Sequence, residues 1–235
     1  MKTGPQRSDG VSAGDARSRP FPIILSAPSG GGKTTIARRL LKKRDDLGYS
    51  ISCTTRLPRP TEKKDVDYHF LTPEQFEAHI QAGDFAEWAE VHGKRYGTLK
   101  SAISKVLKSG QHVILDIDVQ GARRLRVVYP DAVTVFVLPP SAEVMLERLR
   151  KRKTESPQEL AARLNSALQE LRAVEEYEYV VVNDDLDHAV RQVGSIIDAE
   201  VVSRERVSGL RQQVEELAAQ LEAEIGHHSS GKNRS

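Results

Sequence analysis

A glycine-rich segment near the N-terminus carries the residues best suited to chemistry. Residues 27–34 read Ala-Pro-Ser-Gly-Gly-Gly-Lys-Thr and fit the spacing x-x-x-x-G-K-[ST] of a phosphate-binding loop, with Ala27 where glycine is commoner. In such a loop the backbone N–H groups turn towards a phosphate chain, and the helix that follows adds the positive end of its dipole. Lys33 would reach the β- and γ-phosphates, and the Thr34 hydroxyl would bind Mg²⁺. The alternative, a glycine-rich turn with an incidental lysine, is disfavoured because an apolar run precedes the motif and a helical pattern follows it.

Two aspartates follow an apolar run in the middle of the chain. Residues 113–115 read Val-Ile-Leu, and Asp116 and Asp118 come just after them. In phosphate-loop enzymes, a carboxylate at the end of a buried strand lies beside the metal ion of the nucleotide. Many strands end in aspartate without any such role, so it is the upstream phosphate loop that makes Asp116 a candidate metal-site residue together with Thr34.

Two arginines lie in a loop that contains prolines. Arg56 and Arg59 flank Pro58, and Pro60 follows. Because proline restricts the backbone, the two guanidinium groups would form a fixed pair of forks, which suits a phosphate dianion better than flexible lysines do. Taken alone, the loop is better explained by two solvated arginines in a surface turn.

Buried strands that alternate with helices would position these residues. Apolar runs predict strands at 21–26, 113–115, 133–138 and 179–182, and helical patterns lie at 99–109, 119–129, 141–152 and 157–176. This alternation predicts a parallel α/β sheet. Residues 52–98 interrupt the alternation with prolines, a charged turn and strand-like pieces at 68–70 and 85–91, which predicts an inserted, mostly β subdomain.

The two ends of the chain differ from its centre. Residues 1–20 lack hydrophobic periodicity, and residues 227–235 are polar, so both segments are predicted to be disordered. The predicted helix at 203–226 has one apolar face, made by Leu210, Val214, Leu217, Leu221 and Ile225. That face either packs on the parent domain or pairs with a second copy to form a homo-oligomer, and the sequence leaves both alternatives open.

Composition and charge exclude several classes of protein. Hydrophobic residues make up 38% and charged residues 29%, which excludes wholesale disorder. The net charge of +2 arises in the terminal segments rather than in the body, which argues against a nucleic-acid-binding domain. No apolar stretch approaches the roughly 20 residues that cross a bilayer, and the N-terminus does not resemble a secretory signal. With Cys53 as the single cysteine, we expect a soluble cytoplasmic protein without a membrane or nucleic-acid partner.

Between Phe21 and Glu200 the sequence resembles the guanylate kinases. The family signature T-[ST]-R-x-x-[KR]-x-x-[DE], followed by Y-x-[FY], is matched by Thr54-Thr55-Arg56, Arg59, Glu62 and Tyr68-His69-Phe70. Further motifs occur in the family's order: the phosphate loop, Glu87-Trp88, Tyr96-Gly97-Thr98, Leu115-Asp116-Ile117-Asp118-Val119-Gln120-Gly121, Thr154-Glu155 and Val182-Asn183-Asp184-Asp185. On these motifs the chain is identified as a member of the family.

The resemblance implies a fold class and domain limits. The fold is the α/β fold of phosphate-loop nucleoside monophosphate kinases, with a parallel-sheet core, an inserted mostly β subdomain that binds GMP, and a helical lid. The implied domain is 21–202, with its core at 21–51, 99–140 and 164–202, its insert at 52–98 and its lid at 141–163.

The resemblance also implies a GMP site. In this family, the residues that match Arg56, Arg59, Tyr68 and Tyr96 hold the phosphate of GMP, and those that match Ser52, Glu87, Thr98 and Asp118 surround the guanine. A carboxylate suits guanine, whose N1–H and N2–H are donors, whereas adenine offers an acceptor at N1 and lacks the 2-amino group. The implied GMP site comprises Ser52, Arg56, Arg59, Tyr68, Glu87, Tyr96, Thr98, Asp116 and Asp118.

The implied ATP site is centred on the phosphate loop. It comprises Ala27, Pro28, Ser29, Gly30, Gly31, Gly32, Lys33, Thr34, Thr35 and Asn183, and Mg²⁺ would be held by Thr34 and Asp116. Arg148, Arg152 and Arg163 match the arginines of the family's lid, which close over the ATP phosphates. Because phosphoryl transfer depends on positioning and electrostatics, the implied catalytic residues are Lys33, Arg59, Arg148, Arg152 and Arg163.

Two positions depart from the family pattern. Asp65 stands where a turn glycine is usual, and because Asp tolerates unusual turn dihedrals we expect a changed turn and an intact site. Lys153 stands in the lid where Gly or Asn is common, so the path of the lid is left open.

The function expected from these features is the ATP-dependent phosphorylation of GMP, or dGMP, to the diphosphate in purine nucleotide metabolism. One alternative is a guanylate-kinase-like module that has lost catalysis and binds phosphopeptides, and the complete phosphate loop argues against it. Another is a related kinase of a small molecule such as a ribose bisphosphate. Glu87 and Asp118 argue for guanine instead.

Overall fold

Strands and helices alternate along most of the chain, as the sequence predicts. The computed structural model describes residues 18–60, 62–91, 93–150 and 157–231. In chain order the elements are β1 (Pro22–Ser26), α1 (Lys33–Lys43), β2 (Leu47–Tyr49), β3 (Cys53–Thr54), β4 (His69–Phe70), α2 (Pro73–Gln81), β5 (Phe85–Val91), β6 (Lys94–Leu99), α3 (Lys100–Lys108), β7 (His112–Leu115), α4 (Val119–Val128), β8 (Val133–Leu138), α5 (Ala142–Arg150), α6 (Pro157–Arg172), β9 (Tyr179–Val182), α7 (Leu186–Val201) and α8 (Leu210–Gly231), with a 3₁₀-helix at Ala173–Glu176. The chain divides into two compact units, residues 20–197 and residues 1–19 with 198–235.

A five-stranded sheet forms the centre of the larger unit. Its strand order is β2-β7-β1-β8-β9, and all its neighbouring strands are parallel. All five residues of β1 are buried, as expected of a parallel strand that helices cover on both faces. The four predicted strands are present at their predicted positions, and β2 is an edge strand that the sequence analysis does not predict.

A hydrophobic core lies between this sheet and two helices. Side chains of β1 and β7 pack there against Ile103 of α3 and Leu125 of α4, both fully buried. Burying a side chain of this size contributes about 1.5–3 kcal/mol. The core therefore fixes the carboxyl ends of β1 and β7, from which the phosphate loop and Asp116 emerge.

The predicted insert at 52–98 contains a separate four-stranded sheet of order β4-β3-β6-β5. The strands predicted near 68–70 and 85–91 correspond to β4 and β5. The insert also contains the helix α2, which the mostly β interpretation leaves out. Thr72 and Gln75 cap its first turn reciprocally and Pro73 begins it. Phe76 of α2 stacks on Phe85 of β5 at 4.5 Å between ring centroids, which attaches the helix to the sheet.

The helices α5 and α6 occupy the predicted lid and the start of the core segment that follows it. They share a small hydrophobic cluster, in which Met145 and Leu149 of α5 are buried against Ala167 of α6. Residues 151–156, with Arg152 and Lys153, lie outside the described residues. The domain limits predicted from the resemblance stay predictions.

The smaller unit is described at residues 18–19 and 198–231. The predicted helix at 203–226 corresponds to α8, which begins at Leu210, after Gly209 with φ +71°, and continues to Gly231. Its apolar side chains Val214, Leu217, Leu221 and Ile225 are exposed. The termini predicted to be disordered are 1–20 and 227–235. Residues 1–17 and 232–235 of these segments lie outside the described residues. Among the described residues, no helix has the combination of length and hydropathy that a membrane span requires.

Candidate active site

The carboxyl ends of neighbouring parallel strands meet beside the phosphate loop. The loop follows β1, Asp116 follows β7 on one side of it, and α5 follows β8 on the other. Because the carboxyl ends of parallel strands lie along one edge of the sheet, residues far apart in sequence converge there. The buried Ser26 at the end of β1 adds a bond across this edge, from its Oγ to the carbonyl oxygen of Ile117 at 2.9 Å.

The shape of the phosphate loop depends on its glycines. Gly30 and Gly32 have φ values of +85° and +97°, in the left-handed region that favours glycine. A Cβ at Gly32 would lie 2.3 Å from Nδ2 of Asn183, which is too close for a side chain. That amide instead donates a hydrogen bond to the carbonyl oxygen of Gly31 at 2.9 Å. Asn183, predicted near ATP, is buried and supports the phosphate loop through this hydrogen bond.

Asp116 is held by two hydroxyl groups. The Thr34 hydroxyl donates to its Oδ2, and the Tyr49 hydroxyl donates to its Oδ1 at 2.6 Å. Burial and the neighbouring Asp116 carboxylate raise the pKa of Tyr49 well above its usual range, so Tyr49 remains a donor. The two residues predicted to hold a metal ion, Thr34 and Asp116, are therefore adjacent. Their oxygen atoms are of the kind that Mg²⁺ prefers.

The two predicted phosphate-binding arginines have different surroundings. The Arg56 guanidinium makes a bidentate pair with Glu62, with both N–O distances at 2.9 Å, and its Nε donates to the Tyr96 hydroxyl at 3.2 Å. The Arg59 side chain is 53% exposed, its Nη1 lies 3.5 Å from Oε1 of Glu62, and its backbone N–H donates to the same carboxylate at 2.8 Å. Burial alone would raise the pKa of Glu62, but Arg56 and the Arg59 N–H hold that pKa below its usual range. Glu62 therefore fixes the loop that carries both arginines.

Glu87 is a buried carboxylate on β5. It pairs with Thr98 of β6 across the two strands, and the Thr98 hydroxyl donates to Oε1 of Glu87 at 2.6 Å. Oε2 lies against Gly121, where an added Cβ would be only 2.7 Å away. Asp118 caps α4 by accepting from the Gly121 N–H at 2.9 Å, which holds that glycine in place. Burial raises the pKa of Glu87 to about 7, although the Thr98 hydroxyl opposes the rise.

A cavity of about 520 Å³ joins the phosphate loop to this carboxylate. Most of the predicted site residues line it, namely Ser29, Gly30, Lys33, Thr34, Ser52, Arg56, Arg59, Tyr68, Glu87, Tyr96, Asp116 and Asp118. Ala27, Thr98 and Asn183 are buried instead of lining it. The arrangement presents cations and backbone donors at one end of the cavity and a carboxylate acceptor at the other. It can therefore hold a phosphate chain and a base with hydrogen-bond donors.

A comparison with protein-family models decides the family. The model described as guanylate kinase matches residues 19–200, which is most of the chain. The chain belongs to the guanylate kinase family.

Relatives within the guanylate kinase family support this assignment. The chain is 45% identical over 201 residues to a guanylate kinase of Clostridium perfringens, covering 85% of this chain and 93% of that protein. It is 49% identical over 178 residues to a guanylate kinase of Symbiobacterium thermophilum, and the match covers 76% of this chain and 84% of that protein. A solved structure of guanylate kinase from Anaplasma phagocytophilum matches with a TM-score of 0.72 and 32% identity, over 86% of this chain and 96% of that chain. The predicted α/β fold with a parallel-sheet core is confirmed, and the predicted insert contains a separate mixed sheet of four strands.

The arginines predicted from the guanylate kinase lid are described only in part. Arg148 of α5 donates to the carbonyl oxygen of Gly30 in the phosphate loop at 3.3 Å. Arg152 lies outside the described residues, as does the side chain of Arg163, although the backbone of Arg163 lies in α6. The roles of these arginines stay predictions.

Three residues that the sequence analysis does not assign to the site are prominent in it. Tyr49 and Glu62 each hold a predicted site residue, as described above, and Glu170 of α6 accepts a hydrogen bond from the Ser29 N–H at 3.0 Å. The sequence offers a signal for Glu62, which lies in the guanylate kinase signature. It offers little for Glu170, whose partner is a backbone N–H far away along the chain.

Proposed function

We propose that this chain is an ATP-dependent guanylate kinase that transfers the γ-phosphoryl group of ATP to GMP or dGMP, with Mg²⁺ on the nucleotide phosphates. Phosphorylation of GMP is the activity of the family to which the chain belongs. The observation that carries the assignment of residues is the cavity in which the phosphate loop and Glu87 face the same space. It gives each substrate one end of a shared site.

The guanine end of the cavity selects the base through Glu87. An ionised carboxylate accepts hydrogen bonds from guanine N1–H and N2–H, and Thr98 and Gly121 restrict where that carboxylate can lie. Adenine would place an acceptor against it and offer the buried carboxylate no donor from the base. Arg59, whose guanidinium is largely exposed, binds the GMP phosphate together with the Tyr68 and Tyr96 hydroxyls.

The other end of the cavity binds ATP. The backbone N–H groups of the phosphate loop and Lys33 hold the β- and γ-phosphates at the start of α1. The attacking atom is a phosphate oxygen of GMP, which is already ionised at neutral pH, so this chain needs no general base. The bond from that oxygen to the γ-phosphorus forms as the bond to the bridging oxygen of ADP breaks. Lys33, Arg59 and Arg148 neutralise the charge that moves between them.

Thr34 and Asp116 would hold Mg²⁺ in this scheme. A hydroxyl and a carboxylate are hard oxygen ligands, and two protein ligands suffice because Mg²⁺ on a nucleotide keeps waters and phosphate oxygens as further ligands. When bound, the ion supplies positive charge to the β- and γ-phosphates. The Tyr49 hydroxyl orients Asp116 for this task through its bond to Oδ1.

A coupled assay of ADP formation tests the proposed function. ATP and Mg²⁺ are supplied with GMP, dGMP, AMP, UMP, dTMP or IMP, each in a separate reaction. Turnover with GMP and dGMP alone supports both the reaction and the assignment of Glu87. Turnover with another acceptor contradicts the assignment of Glu87. A folded protein that binds GMP without turnover contradicts the reaction and favours a phosphopeptide-binding module.

Self-association through α8 stays a prediction of the sequence. Light scattering of the full chain and of a chain that ends near Glu200 measures it directly. A larger subunit count for the full chain supports pairing through the exposed apolar side chains of α8. Equal counts contradict it.

A further inference from the structure

Glu170 connects the helix α6 to the phosphate loop. Its Oε2 accepts a hydrogen bond from the Ser29 N–H at 3.0 Å, and Glu170 lines the cavity beside Lys33 and Asp118. Burial raises the pKa of Glu170, and the Lys33 ammonium opposes that rise. A partly buried carboxylate is stabilised where it accepts from a backbone donor and lies near a cation, and Glu170 has both.

The neighbouring helix α5 contacts the same loop through a group of opposite charge. Arg148 donates to the carbonyl oxygen of Gly30, one residue after Ser29. The cluster formed by Met145, Leu149 and Ala167 joins α5 to α6. The pair of helices therefore has two polar attachments to adjacent residues of the phosphate loop, one through a guanidinium and one through a carboxylate.

Arg163 lies seven residues before Glu170 in α6, which is about two helical turns. Residues spaced by seven lie on the same face of a helix, so the backbone of Arg163 is on the face that Glu170 presents to the loop. Ala162, next to Arg163, also lines the cavity. The position of α6 relative to the loop therefore sets where the backbone of Arg163 lies.

We propose that Glu170 is a positioning residue for phosphoryl transfer: its carboxylate attaches α6 to the phosphate loop at Ser29 and so sets where the part of α6 that carries Arg163 lies relative to that loop. This inference rests on the proposed function and on the predicted role of Arg163. Glu170 itself acts through the helix, because its hydrogen bond is made to the loop backbone. It therefore belongs to the geometry of the lid rather than to the binding of GMP.

A double-mutant cycle tests this role. The rate constant kcat and both KM values are measured for the wild type, Glu170→Ala, Arg163→Ala and the double variant. Glu170→Ala is expected to lower kcat by about 10- to 100-fold and to leave KM for GMP within about twofold. In the Arg163→Ala background, the same change is expected to lower kcat by no more than about twofold. Equal losses in both backgrounds, or an unchanged kcat for Glu170→Ala, would overturn the proposal.

Two conservative variants keep the test valid if Glu170→Ala does not fold. Glu170→Gln keeps an oxygen acceptor at the same reach and loses the charge, whereas Glu170→Asp keeps the charge and shortens the reach. A positioning role predicts a kcat close to wild type for Glu170→Gln and a reduced kcat for Glu170→Asp. The opposite order would overturn the proposal.

The control is Glu175→Gln, which removes an exposed carboxylate from the adjacent 3₁₀-helix and should keep the wild-type kcat. A wild type that does not phosphorylate GMP would contradict the proposed function, whereas equal losses in an active enzyme contradict only the role of Glu170.

Discussion

The two ends of the cavity are built from different parts of the chain. The end proposed to bind ATP is a main-chain structure, in which positive φ values at Gly30 and Gly32 turn the backbone and Asn183 fills the space that a side chain at position 32 would need. The end proposed to bind GMP is a side-chain structure, in which Glu62 holds the arginine loop and the Thr98 hydroxyl holds Glu87. The first end is sensitive to backbone shape, and the second is sensitive to charge.

This difference teaches how each end achieves selectivity. Every nucleoside triphosphate has the same phosphate chain, so a cradle of backbone N–H groups recognises the phosphates without reading the base. Guanine differs from adenine at N1 and at position 2, so its recognition needs a carboxylate with a fixed position and a defined protonation state. The predictions that follow change one end at a time.

The largest effect is expected from Gly32→Ala at the ATP end. The new Cβ would meet the Asn183 amide and occupy a left-handed backbone conformation, so the loop would lose its shape. We expect kcat/KM for ATP to fall by about 10²- to 10³-fold, while the Kd of GMP measured by titration calorimetry stays the same. Gly110→Ala is the matched control, because Gly110 also has a positive φ but open space around it. A parallel loss of GMP affinity in Gly32→Ala would break the separation of the two ends.

A smaller effect is expected from Glu87→Gln at the GMP end. The amide can donate to adenine N1 and no longer offers two acceptors to guanine, so selectivity should decrease while the chemistry of the ATP end is retained. We expect the ratio of kcat/KM for GMP to that for AMP to fall on the order of 100-fold. Glu90→Gln, an exposed carboxylate on the same strand, is the control. An unchanged ratio would remove Glu87 from the guanine site.

KM for GMP should depend on pH through the ionisation of Glu87. The Glu87 carboxyl has a pKa raised to about 7 by burial, and only its ionised form accepts from guanine N1–H and N2–H. KM for GMP should therefore rise as pH falls, by about tenfold between pH 8 and pH 6. Because GMP itself titrates in this range, the profile is compared with that of Glu87→Gln, which should be flatter. Identical profiles for the two proteins would contradict the assignment.

The smallest effect is expected at Asp65, outside both ends of the cavity. Among the described residues other than glycine, only Asp65 has a positive φ, +60°, and its carboxylate lies 2.7 Å from Nδ1 of His69. Asp65→Gly relieves the backbone conformation and removes that contact, so the free energy of unfolding should change by less than about 1 kcal/mol. Urea denaturation measures it, and kcat should be that of the wild type. A large loss of activity would mean that this turn shapes the GMP end.

The parts of the molecule that the sequence predicts are those encoded by local pattern. The strands β1, β7, β8 and β9 are short apolar runs, and the phosphate loop has a fixed glycine spacing, so both are readable without knowledge of the fold. The helix α2 was readable as well, since Thr72, Pro73 and Gln75 form a start signal that the mostly β interpretation of the insert leaves out. The strand β2 has three residues, too few for a period to be visible.

The parts that the sequence does not predict depend on contacts made after folding. The partner of Glu170 is a backbone N–H 141 residues earlier, and a backbone group carries no mark in the sequence. The family signature contains Arg56 and Glu62, but it does not reveal that these two side chains pair with each other. The raised pKa of Glu87 likewise arises from its burial between β6 and α4. Burial is a property of the assembled insert and core.

The hydrogen bond from Asn183 to Gly31 has a consequence for the order of events during synthesis. It joins residues 152 positions apart, and Asn183 comes directly after β9 at the edge of the sheet. During synthesis, the glycine-rich residues 30–32 are made early. The Asn183 amide that supports their loop is made only when most of the domain has already been synthesised. We therefore expect the phosphate loop to gain this support only after residue 183 has been synthesised, because contacts of such sequence separation form late.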